Sequence, residues 1–361
     1  MKKQAQEFYQ ALHGMPETGF QEYRTSAYIA AELAAAGFRV REHIGGTTGV
    51  MGVLRGSRPG RTVVLRADMD AIACGGAEDA PLHACGHDAH AAMVLACGAA
   101  LTAEGWEPRG ELRLLFQPAE ELLQGAKAMI RGGAVEGADA IVGIHLRPAE
   151  EAGLHEATPA LYHGACGLLE FQVRGRTAHG GRPRLGVNAV HAAALAVGAV
   201  NSIPVPLGGS VQATRLCSLG SAANCIPDRV SLCLDLRGRT DSGLEQLAER
   251  AKAAVAGAAG AVGAEADCVR EERTAAAVYD RELVEVARAS IEEVLGRALP
   301  PVHTPGSEDF HFYRALAGIP SVYIGLGAGM RGGLHRPDMS FDTAALEDGT
   351  AILRSLAGRL L

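Results

Sequence analysis

The chain has 361 residues, of which 48% are apolar and 21% charged, and its formal net charge at pH 7 is −7. This length predicts two domains rather than one core, and the composition is that of a folded globular protein rather than a disordered one. The negative net charge, without a run of clustered Lys and Arg, argues against a nucleic-acid-binding protein, because phosphate binding needs concentrated positive charge.

The N-terminal stretch and the cysteines together predict a cytoplasmic protein. The opening residues MKKQAQEFYQALHGMPE include no apolar segment of the kind found in signal peptides. No run of roughly 18 apolar residues indicates a membrane span, so we expect no membrane partner. The eight cysteines include no Cys-x-x-Cys pair, and we expect reduced thiols.

Helical and strand-like patterns alternate through the first part of the chain. The predicted elements are helices at 4–12 and 25–36, strands at 49–56 and 61–70, a helix at 87–103, a strand at 111–116, a helix at 125–132 and a strand at 138–146. Strands that alternate with helices predict an α/β fold with a mainly parallel sheet and helices on both faces.

The middle of the chain has a different order of elements. The pattern predicts a strand at 166–176, a helix at 187–203, strands at 209–220 and 229–239, a helix at 244–260 and a strand at 264–271. The order β-α-β-β-α-β is typical of a ferredoxin-like α+β domain. The α/β pattern then resumes with a helix at 280–295 and a strand at 321–327. We therefore predict a catalytic domain of residues 1–163 and 276–361, interrupted by an inserted α+β domain of residues 164–275.

Metal-capable side chains follow several of the predicted strands. In open α/β sheets, ligands bind beyond the carboxyl ends of the strands. The residues at these exits are Asp68 and Asp70, Glu120 and Glu121, His145, and His335 in a later glycine-rich loop. If the strands share one sheet, we expect these side chains to converge at one edge.

The stretch PLHACGHDAHAAM at 81–93 is the densest group of metal-capable residues. In an extended segment, His83, Cys85 and His87 would share one face with neighbours roughly 6.6 Å apart. Two neighbours can therefore flank one ion or a close pair of ions, and further ligands must come from the strand exits. Thiolate, imidazole and carboxylate together suit zinc or a related divalent transition metal. We expect His90 to be packed rather than to ligate.

The adjacent glutamates Glu120 and Glu121 predict a hydrolytic site. Adjacent side chains point to different sides, so one carboxylate can bind a metal while the other acts as general base on a water acidified by the ion. Position alone does not decide between them; we assign Glu121 as the ligand and Glu120 as the base.

With these residues, the chain resembles the aminoacylase/carboxypeptidase metallohydrolases of peptidase family M20. It is most similar to the subfamily of hippurate hydrolases, N-acetyl-diaminopimelate deacetylases and auxin-conjugate amidohydrolases, in its short-loop bacterial branch. The resemblance spans nearly the whole chain, in the ordered blocks LHGMPETGFQEYRTS (12–26), RADMDA (66–71), HACGHDAH (83–90), FQPAEE (116–121), GIH (143–145), GRTAHGGRP (175–183), NCIPD (224–228), SEDFHFY (307–313) and GLHRP (333–337).

The resemblance implies a metal-dependent amidohydrolase that acts on N-acyl amino acids or similar small amides. It implies one or two divalent ions, with zinc or manganese as the first choice and cobalt or nickel as alternatives. The implied catalytic residues are Glu120 as base and Asp70 as the residue that orients the site. The implied metal ligands are Cys85, His87, Glu121, His145 and His335.

The inserted domain would act as a lid that mediates homodimerisation in relatives. The resemblance implies that its His179 stabilises the oxyanion of the tetrahedral intermediate. Asn224 and Arg237 would hold the scissile carbonyl and the substrate carboxylate, although an ordinary ion pair is an alternative for Arg237. Glu308 and Asp309 are placed near the site without a role.

Two other functions stay open from the sequence. The first is a di- or tripeptidase or carboxypeptidase with the same site, and the second is a non-catalytic metal-binding protein of the same fold. The intact Glu120–Glu121 pair argues against the second. The stretch AIACGGAEDAPL at 71–82 is shorter than in most relatives. Because it borders the expected site, we expect it to alter the substrate preference.

Overall fold

The computed structural model describes residues 4–73, 80–220 and 222–361. It separates into two compact units. The first comprises Met1–Tyr162, Val278–Thr304 and Glu308–Leu361, and the second comprises His163–Ala277 with Pro305–Ser307. The roles of catalytic domain and dimerising lid, which we gave to these two stretches, stay predictions.

The helices and strands follow each other along the chain in three stretches. The first contains α1 (Ala5–His13), α2 (Tyr23–Ala35), β1 (Arg39–Ile44), β2 (Gly49–Arg55), β3 (Arg58–Asp68), α3 (His87–Ala103), β4 (Arg109–Gln117), α4 (Gly125–Arg131), β5 (Ala140–Pro148) and β6 (Ala157–Thr158). The second contains β7 (Leu161–His163), β8 (Ala165–Arg174), β9 (Ala178–His179), a 3₁₀ turn (Pro183–Leu185), α5 (Ala189–Asn201), β10 (Ser210–Ser218), β11 (Cys225–Ile226), β12 (Arg229–Gly238), α6 (Asp241–Ala261) and β13 (Glu265–Arg273). The third contains α7 (Arg281–Leu295), β14 (Val302–Thr304), a 3₁₀ turn (Asp309–His311), α8 (Phe312–Ala315), β15 (Ser321–Met330) and α9 (Ala345–Leu360).

The first unit contains a seven-stranded sheet in the order β1-β2-β4-β3-β5-β15-β6. The four strands β4, β3, β5 and β15 are parallel to one another, which confirms the predicted α/β class. At the edges the pairing is antiparallel: β1 pairs with β2 and β2 with β4 on one side, and β6 pairs with β15 on the other. On one side the reason is local, because β1 and β2 are joined by a short turn in which Gly45 and Gly46 have positive φ, and a turn this short permits only antiparallel pairing. The mostly exposed β1 escaped the sequence prediction.

Helix α3 runs through the core of this unit and is buried on nearly every face. Its first residue is His87, as the sequence predicted, and the preceding Gly86 adopts φ +90°. A side chain at this position would be strained and would press against Leu146, at 3.1 Å. Glycine therefore lets the chain turn from Cys85 directly into the helix, which places both metal-capable residues at the helix start.

The second unit contains a four-stranded antiparallel sheet in the order β10-β12-β8-β13, against which α5 and α6 pack. Numbered along the domain, this order is 2-3-1-4, and the predicted ferredoxin-like α+β arrangement is confirmed. Side-chain caps define the helix starts. The Asn188 side chain accepts hydrogen bonds from two backbone N–H groups of α5, and the Thr240 side chain accepts a hydrogen bond from one backbone N–H group of α6. The cap at Thr240 explains why α6 begins before the predicted residue 244. The short ribbon of β9 and β11 was not predicted.

Candidate metal centre

His87 lies at the edge of the sheet where the parallel strands end, and its side chain is almost completely buried. Its Nδ1 lies 3.0 Å from the backbone oxygen of Asp70 and 3.3 Å from Asp70 Oδ1, so we assign the Nδ1 proton to these acceptors. Its Nε2 has no hydrogen-bond partner among the residues that the structure describes. Glu120 Oε2 lies 3.8 Å and Glu121 Oε1 3.9 Å from this Nε2. A buried imidazole nitrogen that faces two carboxylates is suited to bind a metal ion.

The electrostatics around His87 favour a cation. Burial opposes protonation of this imidazole, but the charges of Asp68 and Cys85 outweigh burial and raise the pKa of His87 well above its ordinary value. A hydrogen bond from His87 to Asp70 acts in the same direction. Surroundings that draw a proton onto a buried ring also stabilise a bound metal cation.

Cys85 and His145 meet on one side of this centre. The Sγ of Cys85 lies 3.6 Å from His145 Nε2. His145 Nδ1 lies 2.5 Å from the backbone oxygen of Leu146, which we take as the acceptor of the Nδ1 proton. Burial, with a smaller contribution from the positive charge of Arg147, lowers the pKa of His145 well below its ordinary value. The ring is therefore neutral, with the Nε2 lone pair directed at Cys85.

Glu121 and His335 meet on the other side. His335 Nε2 lies 3.3 Å from Glu121 Oε1, and hydrogen bonds with Cys85 and Glu121 raise the pKa of His335 to about 10. The backbone N–H of His335 donates to the carbonyl of Ala84 at 2.7 Å. That bond ties the late loop to the segment just before Cys85, and the backbone of His335 itself has φ +62°. Residues far apart in the chain are thereby held at one point.

The five residues that the sequence analysis assigned as ligands form two overlapping groups. In each group the ligand atoms lie within 4.8 Å of one another, and the groups are Cys85–His87–His145 and Cys85–Glu121–His335. A third group of the same kind joins His87 with Glu120 and Glu121. The structure therefore brings all five candidate ligands and the candidate base together, with Cys85 common to the first two groups.

His90 comes close to this cluster but is already committed to protein partners. The backbone N–H of Leu146 donates to His90 Nε2 at 2.9 Å. The Nδ1 of His90 therefore carries the proton and donates to Asp68 Oδ1 at 2.7 Å. Both nitrogens have protein partners, which agrees with the expectation that His90 is packed, although its ring also forms a group with Asp68 and His87 whose ligand atoms lie within 4.8 Å of one another. His83 belongs to none of the groups in the described part of the chain, although it is buried.

The turn that carries the two glutamates is strained on both sides. Ala119 has φ +52° and Leu123 has φ +54°, a conformation that non-glycine residues rarely adopt. Within this turn, Asp70 Oδ1 accepts the N–H of Glu120 and Asp70 Oδ2 accepts the N–H of Glu121, both at 3.1 Å. Such strain concentrates at functional sites and persists only where the surroundings enforce it.

A buried ion network behind Glu120 escaped the sequence analysis. Arg66 is 1% exposed, and its guanidinium donates to Asp68 at 2.7 Å and to Asp309 at 3.1 Å. It also donates to Gln117 at 2.9 Å, to Glu308 at 3.3 Å and to the hydroxyl of Tyr323 at 3.4 Å. The available signal was a lone Arg inside the apolar run TVVLRAD, because a buried charge requires partners.

This network determines the surroundings of Glu120. The backbone N–H of Asp309 donates to Glu120 Oε1 at 3.4 Å, which leaves Oε2 on the side of His87. Burial, then the charges of Glu308, Asp309 and Glu121, raises the pKa of Glu120 well above its ordinary value. A carboxylate with raised proton affinity is a better proton acceptor near neutral pH. This finding also gives Glu308 and Asp309 a place beside the site.

Comparison with known proteins shows the family. The sequence profile described as Peptidase family M20/M25/M40 matches residues 64–359. The chain belongs to this peptidase family. A probable hydrolase of Synechocystis sp. is 32% identical over 367 residues, which cover 95% of this chain and 92% of that protein. The N-acetyl-L-cysteine deacetylase of Bacillus subtilis is 27% identical over 362 residues, covering 97% of this chain and 86% of that protein.

Solved structures of the family share the fold. The Bacillus subtilis YXEP protein, described as a dinuclear metal binding peptidase from the M20 family, matches with a TM-score of 0.83 at 24% identity. The match covers 99% of this chain and 97% of that one. The family resemblance drawn from the sequence blocks is confirmed. This M20 protein is accordingly a metal-binding hydrolase that acts on amide or peptide bonds.

The predicted substrate residues of this M20 hydrolase lie in its second unit. His179 is exposed on β9, directly opposite Cys225 of β11, and its Nδ1 accepts the N–H of Gly181 at 3.0 Å. The backbone oxygen of Asn224 accepts the N–H of Gly180 at 2.8 Å. His179 and Asn224 are therefore neighbours on one ribbon. The sequence analysis did not predict this ribbon, because strands of two residues are too short to show an alternating pattern.

Arg237 lies on the separate four-stranded sheet of the second unit. Its Nε and Nη2 donate to the two carboxylate oxygens of Asp235 at 2.8 and 2.9 Å, and its Nη1 lies 2.7 Å from Cys166 Sγ. Its guanidinium is thus held by an ion pair, the alternative considered from the sequence. To bind a substrate carboxylate, Arg237 would have to share this guanidinium with Asp235.

Two remaining expectations concern the short loop and the membrane. Of the stretch 71–82, residues 74–79 lie outside the described residues. At its ends, Ile72 and Leu82 form an antiparallel bridge with hydrogen bonds of 3.1 and 2.9 Å. In the portion that the structure describes, no helix combines the length and the apolar character needed to cross a bilayer.

Proposed function

We propose that this protein hydrolyses the amide bond of N-acyl amino acids or closely related small amides. One observation carries the proposal. Five side chains with nitrogen, sulfur and oxygen donors converge, and Glu120 Oε2 lies 3.8 Å from His87 Nε2, which has no hydrogen-bond partner within the described parts of the chain. A carboxylate with raised proton affinity next to such a donor set supports metal-assisted hydrolysis.

The residues present suit a transition metal. The donor set combines a thiol, three imidazoles and a carboxylate, which zinc and manganese accept, as do cobalt and nickel. We propose that the metal ligands are Cys85, His87, Glu121, His145 and His335. The two overlapping groups that share Cys85 accommodate either one ion or two. Asp70 would hold the Nδ1 proton of His87 and leave its Nε2 free for the metal.

In the proposed mechanism, a divalent ion held by these ligands would supply Lewis acidity, which would lower the pKa of water and polarise a carbonyl. Glu120 Oε2 accepts a proton from the attacking water while its Oε1 stays on the N–H of Asp309. Glu120 then passes that proton to the amide nitrogen as the carbon–nitrogen bond breaks. The products are a carboxylic acid and an amine, and the carboxylate of Glu120 is regenerated.

The second unit would contribute the substrate contacts. We propose that His179 stabilises the oxyanion, that Asn224 holds the scissile carbonyl and that Arg237 binds the substrate carboxylate. These roles, and a homodimer formed through residues 164–275, are supported by the family resemblance of GRTAHGGRP and NCIPD. The neighbouring positions of His179 and Asn224 agree with a shared task.

The choice of an N-acyl amino acid is supported by the relative that deacetylates N-acetyl-L-cysteine, whose similarity covers 97% of this chain. The alternative is a di- or tripeptidase or carboxypeptidase that uses the same site, and the family description as peptidases favours it. The two substrate classes differ in the group attached to the amide carbonyl. A free α-amino group is present in a dipeptide and absent from an acyl group.

A competition between both substrate classes tests the proposal. Purified, metal-reconstituted protein is incubated with N-acetyl, N-benzoyl and N-aminobenzoyl amino acids together with dipeptides of matched side chain, and the products are detected by mass spectrometry. Release of free amino acids from the acylated set, absent with Glu120→Gln, is the expected result. Preferential cleavage of the dipeptides would overturn it in favour of a peptidase. Metal binding without any turnover would favour the non-catalytic alternative.

A further inference from the structure

The turn at 118–121 is held by a second buried carboxylate that lies far away in the sequence. Glu22 precedes α2, and its side chain is fully buried. Its Oε1 accepts the backbone N–H of Ala119 at 2.9 Å, and its Oε2 accepts the hydroxyl of Thr48 at 2.5 Å. Together with Asp70, it completes a series in which three consecutive N–H groups, those of residues 119, 120 and 121, each donate to a carboxylate.

The segment around Glu22 is fitted closely to this turn. A side chain at Gly19 would come within 3.0 Å of Cα and Cβ of Ala119, so only glycine permits this approach. The backbone oxygen of Glu17 accepts the N–H of Ala71 at 2.8 Å, which ties the same segment to the loop of Asp70. The block LHGMPETGFQEYRTS, to which neither the ligand set nor the mechanism gives a task, is thus packed against the residues that shape the metal centre.

The backbone at Ala119 needs external support. A left-handed conformation is unfavourable for a residue with a Cβ, and it persists only where surrounding contacts enforce it. Ala119 is completely buried, so water cannot replace the carboxylate of Glu22 as acceptor. Without Glu22, the N–H of Ala119 would be left without a hydrogen bond. Relaxation of Ala119 would rotate the following two residues, Glu120 and Glu121.

We propose that Glu22 is a positioning residue for the metal centre. By accepting the N–H of Ala119, it keeps the turn in the conformation that directs Glu121 at the ligand cluster and Glu120 Oε2 toward His87. The inference rests on the proposed roles of these two glutamates. It also assigns a task to the block LHGMPETGFQEYRTS, which supplies a hydrogen-bond acceptor for the turn rather than a metal ligand.

The replacement of Glu22 by Gln is a sharp probe of this role. The amide oxygen can still accept the N–H of Ala119, while the amide N–H can donate to Thr48. Burial raises the pKa of Glu22 to about 7, partly offset by the hydrogen bond from Thr48, so the native group already carries a proton for part of the time near neutral pH. Glu22→Ala removes the acceptor. Glu22→Asp shortens the side chain by one methylene and so moves the carboxylate away from the N–H of Ala119.

The test uses Mn²⁺ alone, titrated calorimetrically into the metal-free full-length protein, together with kcat and KM on the substrate found above. We expect Glu22→Ala and Glu22→Asp to weaken Mn²⁺ binding and to lower kcat by about 10- to 100-fold, with Glu22→Gln within about threefold of wild type. KM should change by less than about twofold, because the lost interaction acts on the reacting groups rather than on substrate binding. If Glu22→Ala does not fold, the proposal is tested by comparing the Mn²⁺ affinity and kcat of Glu22→Asp with those of Glu22→Gln.

Glu111→Ala is the matched control for loss of a buried carboxylate. Glu111 is 5% exposed in β4, the strand that leads into the same turn, but it binds Arg55 and Arg113. Its loss should lower stability without changing Mn²⁺ affinity. Mn²⁺ affinity of Glu22→Ala equal to that of Glu111→Ala, or a Glu22→Gln as impaired as Glu22→Ala, would overturn the proposal. A wild-type protein that binds Mn²⁺ but cleaves no amide would refute the proposed function alone, since the titrations would still decide on Glu22.

Discussion

The Oδ1 atom of Asp70 lies 3.3 Å from Nδ1 of His87, and the backbone oxygen of Asp70 lies 3.0 Å from the same nitrogen. The two oxygens of that carboxylate also accept the N–H groups of Glu120 and Glu121. A single side chain therefore sets both the ring orientation of one candidate ligand and the backbone of the turn that carries another. Its removal should disturb the whole centre at once.

We expect Asp70→Ala to lower metal affinity by about 10- to 100-fold, the usual cost of losing a group that orients metal ligands. The measurement is a calorimetric titration of the metal-free protein with Zn²⁺ or Mn²⁺. Asp88→Ala serves as the control, because Asp88 is equally buried but binds His13 instead, at 2.7 Å. Equal affinity in both variants would contradict the role of Asp70.

The overlap of the two ligand groups at Cys85 predicts a pattern of metal contents. If two ions bind, His145→Ala and His335→Ala should each lose one ion, because each residue belongs to one group only. Cys85→Ser should weaken both sites, since the weakly basic hydroxyl replaces a ligand common to both groups. Metal analysis by inductively coupled plasma mass spectrometry after dialysis measures the content. A full metal complement in Cys85→Ser would rule out this thiol as a shared ligand.

Arg66 is expected to be essential for folding rather than for chemistry. Removing it leaves Asp68, Glu308 and Asp309 buried without their cation, so Arg66→Met should lower the free energy of unfolding by about 3–5 kcal/mol. Urea denaturation of the metal-free protein measures the change.

Arg55→Met is the comparison for this change. The Arg55 side chain is 74% exposed, and its ion pair with Glu111 should contribute at most about 1 kcal/mol. The interpretation fails if Arg66→Met is as stable as Arg55→Met.

Glu22 predicts a specific pH dependence of stability. Its pKa is about 7 in the folded protein, against an ordinary value of 4.5. Between these values the folded state binds more protons than the unfolded state, so the free energy of unfolding falls as pH rises. The contribution of Glu22 is complete below pH 4.5 and lost above pH 7, and it amounts to on the order of 3 kcal/mol.

The comparison of wild type with Glu22→Gln isolates this contribution. His311 acts in the opposite direction, because burial lowers its pKa to about 3 and its contribution is lost as pH falls. That effect is common to both proteins and cancels in their difference. Urea denaturation at several pH values should show wild type losing stability relative to Glu22→Gln between pH 4.5 and 7. Parallel curves would contradict the raised pKa.

Local patterns were sufficient for much of the fold. The starts and ends of α3, α4, α5, α7 and the central strands follow from apolar periodicity and from glycine or polar residues at their borders, which are interactions between near neighbours. The elements that were missed depend on other parts of the chain. The edge strand β1 has little apolar pattern, and the two-residue strands β9 and β11 exist only because each pairs with the other.

The sequence by itself determined the fold class and the identity of the metal-capable residues, because periodicity, spacing and residue chemistry are local properties. The family came from the resemblance of the ordered motif blocks to a known family, which also needs only the sequence. Only the tertiary structure decided which atoms meet. It showed that both ring nitrogens of His90 have hydrogen-bond partners and that His87 Nε2 faces two glutamates. It also showed that Arg66 pairs with three buried carboxylates and that Glu22 accepts the N–H of Ala119. The physical reason is that burial and hydrogen bonding between residues distant in the chain depend on the packing of the whole unit, which no local pattern encodes.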